Sequence, residues 1–178
     1  MADASAGEPT DQIRAQIAQV YRTFQTAPPA DRHAIVRPVI DEMFDWAEMA
    51  KRALGRHWQD RTAPEQAEFV RLFADLFEHA YLSKIELADA DQFHYFGDTV
   101  EGGRAIVRTK ITTRRGSEIP VDYMTRREAE TRWKVYDLTT GGISLVGNYR
   151  TQFNAIVSRS SYPTLVEKLK AAGSGREP

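Results

Sequence analysis

The chain has no cysteine, which excludes disulfides, thiolate metal ligands and a cysteine nucleophile, and leaves it chemically safe in an oxidising compartment. It has no window approaching about 18 consecutive apolar residues and no basic start followed by an apolar h-region, so neither a membrane-spanning helix nor an intact signal peptide is read from it. It has no excess of either charge: 24 basic against 25 acidic residues leave a formal net charge of −1. No global field therefore draws it to nucleic acid or to an anionic surface. Its four histidines, His33, His57, His79 and His94, lack the i, i+3 or i, i+4 spacing that lets one helix present two ligands to a metal. Phosphate-cradling glycine loops and the Gly-x-Ser-x-Gly elbow are also missing, so no cofactor is expected. Arg114-Arg115 and Arg126-Arg127 are short charge runs without a basic composition behind them, and nucleic acid is not an expected partner.

What remains is patterning. At 178 residues the chain is long enough to bury a core without metal or disulfide. From Asp11 to Phe24, Ile13, Ile17, Val20, Tyr21 and Phe24 recur at steps of three and four, one face of an amphipathic helix that Pro28-Pro29 ends. A second helix is predicted from Asp31, as N-cap, through Ile35, Val39, Ile40 and Met43, and a third through Trp46, Met49, Ala50 and Leu54, closing near Gly55. The plainest helix begins at Thr62-Ala63-Pro64-Glu65, a capping box with proline in the first turn, and is predicted to reach Leu87. Along it Phe69, Leu72, Phe73, Leu76, Phe77, Ala80, Tyr81 and Ile85 keep the helical spacing over roughly 35 Å at 1.5 Å per residue.

After Asp91 the period changes from helical to alternating. Phe93–Val100 and Arg104–Thr113 flank the turn Glu101-Gly102-Gly103, and Ile119–Arg127 and Arg132–Leu138 follow as two more strands, an antiparallel meander. A last long helix after Ser144 carries Leu145, Val146, Tyr149, Phe153, Ile156 and Val157. Helices, then strands, then a helix predict an α+β domain with helices packed on one face of a curved four-stranded antiparallel sheet. The small polar start Met1–Pro9 is expected to be a mature N-terminus left by signal cleavage with Met1 added, and Gly173–Pro178 a mobile tail.

The segment Phe44-Asp45-Trp46-Ala47-Glu48-Met49-Ala50-Lys51-Arg52-Ala53-Leu54-Gly55-Arg56-His57-Trp58, followed by Thr62-Ala63-Pro64-Glu65-Gln66, resembles the MlaC-type, toluene-tolerance family of bacterial periplasmic lipid carriers. The resemblance resumes at Ile119-Pro120-Val121-Asp122-Tyr123 and Trp133-Lys134-Val135-Tyr136-Asp137-Leu138, and continues through Gly142–Phe153. It implies that residues 11–170 form one lipid-binding domain, between flexible segments 1–10 and 171–178, whose helices and sheet enclose an apolar pocket. It also implies a non-enzymatic periplasmic carrier of phospholipid that maintains outer-membrane lipid asymmetry. Its partners would be an inner-membrane lipid ABC transporter complex and an outer-membrane lipoprotein complex. A hopanoid-associated branch of the family makes polycyclic triterpenoid lipids an alternative cargo.

The candidate lipid-binding residues are Phe69, Phe73, Phe77 and Tyr81 from the aromatic helix, Val107, Ile111, Val121, Tyr123 and Val135 from the strands, and Val146, Tyr149 and Phe153 from the last helix. Each has core packing as its alternative role. Trp58, Arg56 and Lys51 are candidates for a mouth near the headgroup. A different class of reading places Asp122, Tyr123 and Asp137 in the cavity of a cone-shaped α+β enzyme, one carboxylate acting as general base. The alternative for these carboxylates is ion pairing with Arg108, Arg126 or Arg150 on a solvated face.

Overall fold

A computed structural model describes residues 8–86, 88, 89 and 92–173. The expected signal-cleaved start at 1–7, the end of the aromatic helix at Leu87 and most of the expected tail, 174–178, lie outside the described residues. The chain forms two compact units. One carries the chain up to Asp45 together with Lys84–Gly142, and the other Trp46–Ser83 together with the chain from Ile143 onwards.

In the first unit α1 (Glu8–Thr26) and α2 (Arg32–Met43) accompany four long strands. These are β1 (Phe93–Glu101), β2 (Arg104–Thr112), β3 (Glu118–Ala129) and β4 (Arg132–Thr140), paired antiparallel in chain order. The fold class is α+β, as predicted, with an open sheet. A fifth strand, β5 (Ile143–Ser144), falls within the second unit and is only two residues long, too short for a period-2 signal, and so the sequence reading has four.

Alternation decides which side of the sheet is covered. Ala105, Val107, Thr109 and Ile111 of β2, and Val121, Tyr123 and Thr125 of β3, are buried, and the residues between them are not. On β4 Trp133, Val135, Tyr136 and Leu138 are buried, which breaks parity. The register explains why: Met124 faces Asp137 and Thr125 faces Val135, so Tyr136 is an inserted bulge residue that returns Leu138 to the covered face. A second bulge lies between Tyr95 and Asp98, where Gly97 has φ +94°, a conformation that favours glycine.

α1 packs on β1 and β2, and α2 on β4. Ile13, Ile17, Val20 and Tyr21 are the buried stripe of α1, as predicted. Its polar residues fasten it. The Thr10 amide and hydroxyl donate to Asp98 Oδ2 at 3.1 and 2.5 Å. The Gln12 side-chain amide donates to the Trp133 carbonyl at 2.9 Å and accepts from the Trp133 N–H at 3.0 Å, filling the place of a neighbouring strand. Two residues along β4, Phe44 bridges Val135 in parallel and the Asp45 N–H donates to the Val135 carbonyl. The strand's outer edge is thus satisfied at both points.

α2 corrects two expectations. Asp31 makes no side-chain cap hydrogen bond. The buried stripe is Val36, Ile40 and Met43, while Ile35 is exposed and Val39 half-buried. The stripe therefore begins one residue later than the apolar count suggests.

Tyr21, Phe93 and Tyr95 form a ring cluster, Tyr21 edge-on to Phe93 at 5.7 Å and Phe93 stacked on Tyr95 at 6.3 Å. Burial raises both phenols. Tyr21 rises the further, and its O–H donates to the carbonyls of Ile85 and Ala88. Tyr95 is pushed from 10.0 up to about 12, against the opposing charge of Arg14. A phenol raised in the folded state contributes stability that is complete below the unfolded value and is lost as pH rises through the folded one. Urea midpoints are therefore expected to fall between about pH 10 and 12, and Tyr95→Phe to flatten that fall in proportion to its share. An unchanged slope in Tyr95→Phe, with tyrosinate absorbance followed in parallel, would refute the assignment.

Candidate functional site

The second unit contains α3 (Trp46–Leu54), a 3₁₀ turn Gly55–His57, α4 (Ala63–Ile85) through Ser83, α5 (Leu145–Arg159) and α6 (Tyr162–Gly173). The capping box forms as predicted: the Thr62 N–H donates to Glu65 Oε2 at 2.8 Å, and the Glu65 N–H to Thr62 Oγ1 at 3.3 Å. Ser144 caps α5 by accepting from the Gly147 N–H at 2.8 Å. These caps fix the rotation at which each helix leaves its loop.

That rotation aligns rings. Phe69, Phe73 and Phe77, four residues apart on α4, are all buried and contact one another in sequence at 6.3 and 5.9 Å. From α5, Tyr149 and Phe153 answer with the same step. Phe153 stands edge-on to Phe69 and Phe73 at 5.9 and 6.2 Å, and Tyr149 edge-on to Phe73 at 5.7 Å, the arrangement that ring quadrupoles favour. Phe73 is the hub, with four ring neighbours. Tyr81, one turn beyond Phe77, and Val146, one turn before Tyr149, are buried. Tyr149 is half-buried, and burial raises its phenol above the ordinary 10.0, keeping it neutral.

Two members of this cluster were absent from the candidate set. Trp46 meets Phe77 at 5.9 Å, and Tyr162 of α6 meets Phe69 at 6.4 Å. α6 as a whole escaped the sequence reading. Its signal was present: Ser161 precedes Tyr162-Pro163, its hydroxyl accepts from the Thr164 N–H at 3.2 Å, and Leu165, Val166 and Leu169 follow at helical steps.

The five strand candidates belong to the first unit, all on the covered face of the sheet: Val107, Ile111, Val121, Tyr123 and Val135 are buried. Val107 lies directly opposite Tyr123. Thr109 and Thr125 on the same face are internally satisfied, Thr109 Oγ1 donating to the Val121 carbonyl at 2.7 Å and Thr125 Oγ1 to the Ala105 carbonyl at 3.1 Å. Trp133 and Leu138 share this face; they belong with the set once the bulge is known. The candidates thus fall into seven residues of the helical unit and five of the sheet unit, each group lying together and none of them charged.

Asp122 and Asp137 lie elsewhere. Asp122 alternates with buried Val121 and Tyr123 and faces Arg108 and Thr139 across its strands, while Asp137 faces Met124. Both are on the side of the sheet away from the buried valines, with Tyr123 on the opposite face. Arg126 bonds Asp45 at 2.6 Å and Arg108 donates to Thr99 Oγ1 at 2.7 Å, while Asp137 Oδ1 accepts from the Leu138 N–H. Among the described residues no group of three potential ligands could hold a metal ion, and no helix is long and apolar enough to cross a membrane. These two faces are apolar and buried.

The MlaC protein family model matches this chain over residues 10–171. The chain belongs to the MlaC family. Among solved structures, a phospholipid-binding protein from Ralstonia solanacearum, determined in complex with a phospholipid, is similar with a TM-score of 0.75 and 21% sequence identity, over 92% of this chain and 96% of that one. At that identity the likeness is one of fold. A search of curated proteins finds no match. The MlaC match takes in every one of the twelve candidates and both units, and MlaC membership points to binding and transport in place of catalysis.

Phe73→Ala is expected to lower stability by about 3–5 kcal/mol, the usual cost of removing a buried ring. Tyr149→Phe, whose hydroxyl bonds no described residue, should change it by less than about 0.5 kcal/mol. Urea denaturation of the two variants measures the contrast, and equal costs would remove Phe73 from its central place.

Proposed function

We propose that this chain is a periplasmic carrier that takes phospholipid acyl chains against the neutral apolar groups described above, and that it shuttles lipid between an inner-membrane ABC transporter complex and an outer-membrane lipoprotein complex. Membership of the MlaC family across residues 10–171 carries this reading. It is supported by the phospholipid-bound Ralstonia solanacearum structure of similar fold and by the absence of charge from all twelve candidate residues. Phe69, Phe73, Phe77, Tyr81, Val146, Tyr149 and Phe153 contribute from the helical unit, and Val107, Ile111, Val121, Tyr123 and Val135 from the sheet unit.

The physical case is one of matched solvents. Each CH₂ moved out of water is worth about 0.8 kcal/mol, so a two-chain lipid cannot cross an aqueous space unsheltered. Moving from bilayer to an apolar protein interior exchanges one apolar environment for another. The net free energy stays small while the gross desolvation term is large, and loading is reversible. No step of this cycle needs a nucleophile or a metal.

Protein purified without detergent is expected to carry stoichiometric lipid in native mass spectrometry, and extraction followed by lipid analysis distinguishes phospholipid from hopanoid. Val121→Arg and Phe73→Asp should empty it, while Asp122→Asn and Asp137→Asn should leave the load unchanged. Natively purified protein that comes off the column without lipid would defeat the carrier reading.

A further inference from the structure

In the helical unit a recess of about 250 Å³ opens between the α3–3₁₀ junction and α5, lined by Leu54, Gly55, Arg56, Arg150, Thr151 and Asn154. Its charges are all of one sign, for no carboxylate lines it. This contrasts with arginines nearby in the same unit, where Arg52 is held by Glu48 at 2.7 Å and Arg61 by Glu65 at 3.9 Å. Arg150 makes no hydrogen bond or ion pair with a described residue. Among the described residues Arg56 has only a long 3.4 Å contact, to Ser158 Oγ. Two guanidinium groups, with five N–H donors each, thus border one hollow with almost none of their donors used.

The backbone is arranged to bring one of them close. Gly55 has φ +58°, and a Cβ added there would come within 3.2 Å of Arg150 Cδ. A side chain here would strain the left-handed backbone and crowd the Arg150 stem, which glycine leaves room for. Beside it, His57 Nε2 lies 2.9 Å from Asn154 Oδ1. Since Oδ1 can only accept, the ring nitrogen donates, which fixes the amide and leaves the Asn154 Nδ2 donors for another acceptor.

We propose that this recess is a binding site for a phosphate group, held between the guanidinium groups of Arg56 and Arg150 and assisted by Asn154 Nδ2. A carboxylate is satisfied by a single guanidinium fork. Free phosphate or a phosphomonoester carries three or four terminal oxygens in tetrahedral array and between one and two negative charges, and a phosphodiester headgroup carries two terminal oxygens and one charge in the same array, so either can meet two forks and a neutral donor. The site is separate from the apolar groups assigned to acyl chains and does not depend on them. The phosphate can be a free one or the headgroup phosphate of a lipid at a bilayer surface.

Inorganic phosphate and sn-glycerol 3-phosphate titrated into the full chain at low ionic strength, with the Gly55 and Asn154 resonances followed by NMR, test the free source. Flotation with phosphatidylglycerol vesicles tests the lipid-borne one. The expected result is a saturable shift of the Gly55 amide, or vesicle recruitment, weakened about tenfold or more in Arg150→Gln and in Arg56→Gln, the scale of losing one charge-assisted fork. Arg150→Lys should be intermediate, because it keeps the charge and loses the fork. A response in solution assigns free phosphate, and a response with vesicles alone assigns a headgroup. No response in either arm, or equal binding by wild type and both glutamine variants with unchanged far-UV circular dichroism, overturns the proposal.

Discussion

The burial of three phenylalanines at four-residue steps on α4 is the constraint on which the helical unit depends. A helix turns once every 3.6 residues, so a four-residue step drifts slowly around the axis, and Phe69, Phe73 and Phe77 form one oblique row. Such a row can be covered only by a helix that offers rings at the same pitch. α5 does so with Tyr149 and Phe153, and α6 and α3 close the two ends with Tyr162 and Trp46. The Thr62–Glu65 box, the Ser144 cap and the left-handed Gly55 are what set these helices at the needed rotation.

The sheet unit answers the same requirement with a different period. Its covered face stays apolar across three strands because every second residue points there, and because the Tyr136 bulge corrects the one strand whose sequence would otherwise fall out of phase. The threonines on that face donate to backbone carbonyls within the sheet, so they add no unpaired donor. Gln12 and Phe44 occupy points along the outer edge of β4 that would otherwise be open to strand addition. Both units therefore bury uncharged side chains, although Trp133 Nε1 on the covered face of the sheet is buried with no hydrogen-bond partner among the described residues.

Local rules made much of this visible in the sequence. The capping box, the hairpin at Glu101–Gly103 and the alternation along β2 and β3 each involve residues a few positions apart, and periodicity reads such features directly. Where interaction is distant, it could not. Nothing in Trp133-Lys134-Val135-Tyr136 marks Tyr136 as a bulge, because the extra residue exists only relative to β3. Asp31 looked like a cap, yet its side chain bonds nothing at the helix start, and the turn before Arg32 is held by the Asp31 N–H donating to the Pro28 carbonyl. For the site, parity found the inward strand residues but stopped short of Leu138. The aromatic row predicted Phe69, Phe73 and Phe77 but not their partners on α6. Arg56 and Arg150 drew no joint notice, since only the packing of α3 against α5 makes them neighbours.

α5 shows how one helix can serve two chemistries. Successive residues on a helix lie about 100° apart, so Tyr149 and Arg150 diverge although they are adjacent in the chain. Val146, Tyr149 and Phe153 make one side of α5, and Arg150, Thr151 and Asn154 line the recess on another. Apolar surface is non-directional and discriminates poorly between guests of similar hydrocarbon length, whereas a pair of fixed guanidinium forks discriminates by charge and by the geometry of the acceptor oxygens. On the proposed phosphate site, selectivity for a charged group resides on its cationic side and is sensitive to salt. On the proposed carrier reading, retention of hydrocarbon resides on its aromatic side and involves no ion pair, so ionic strength separates the two contributions without altering a residue.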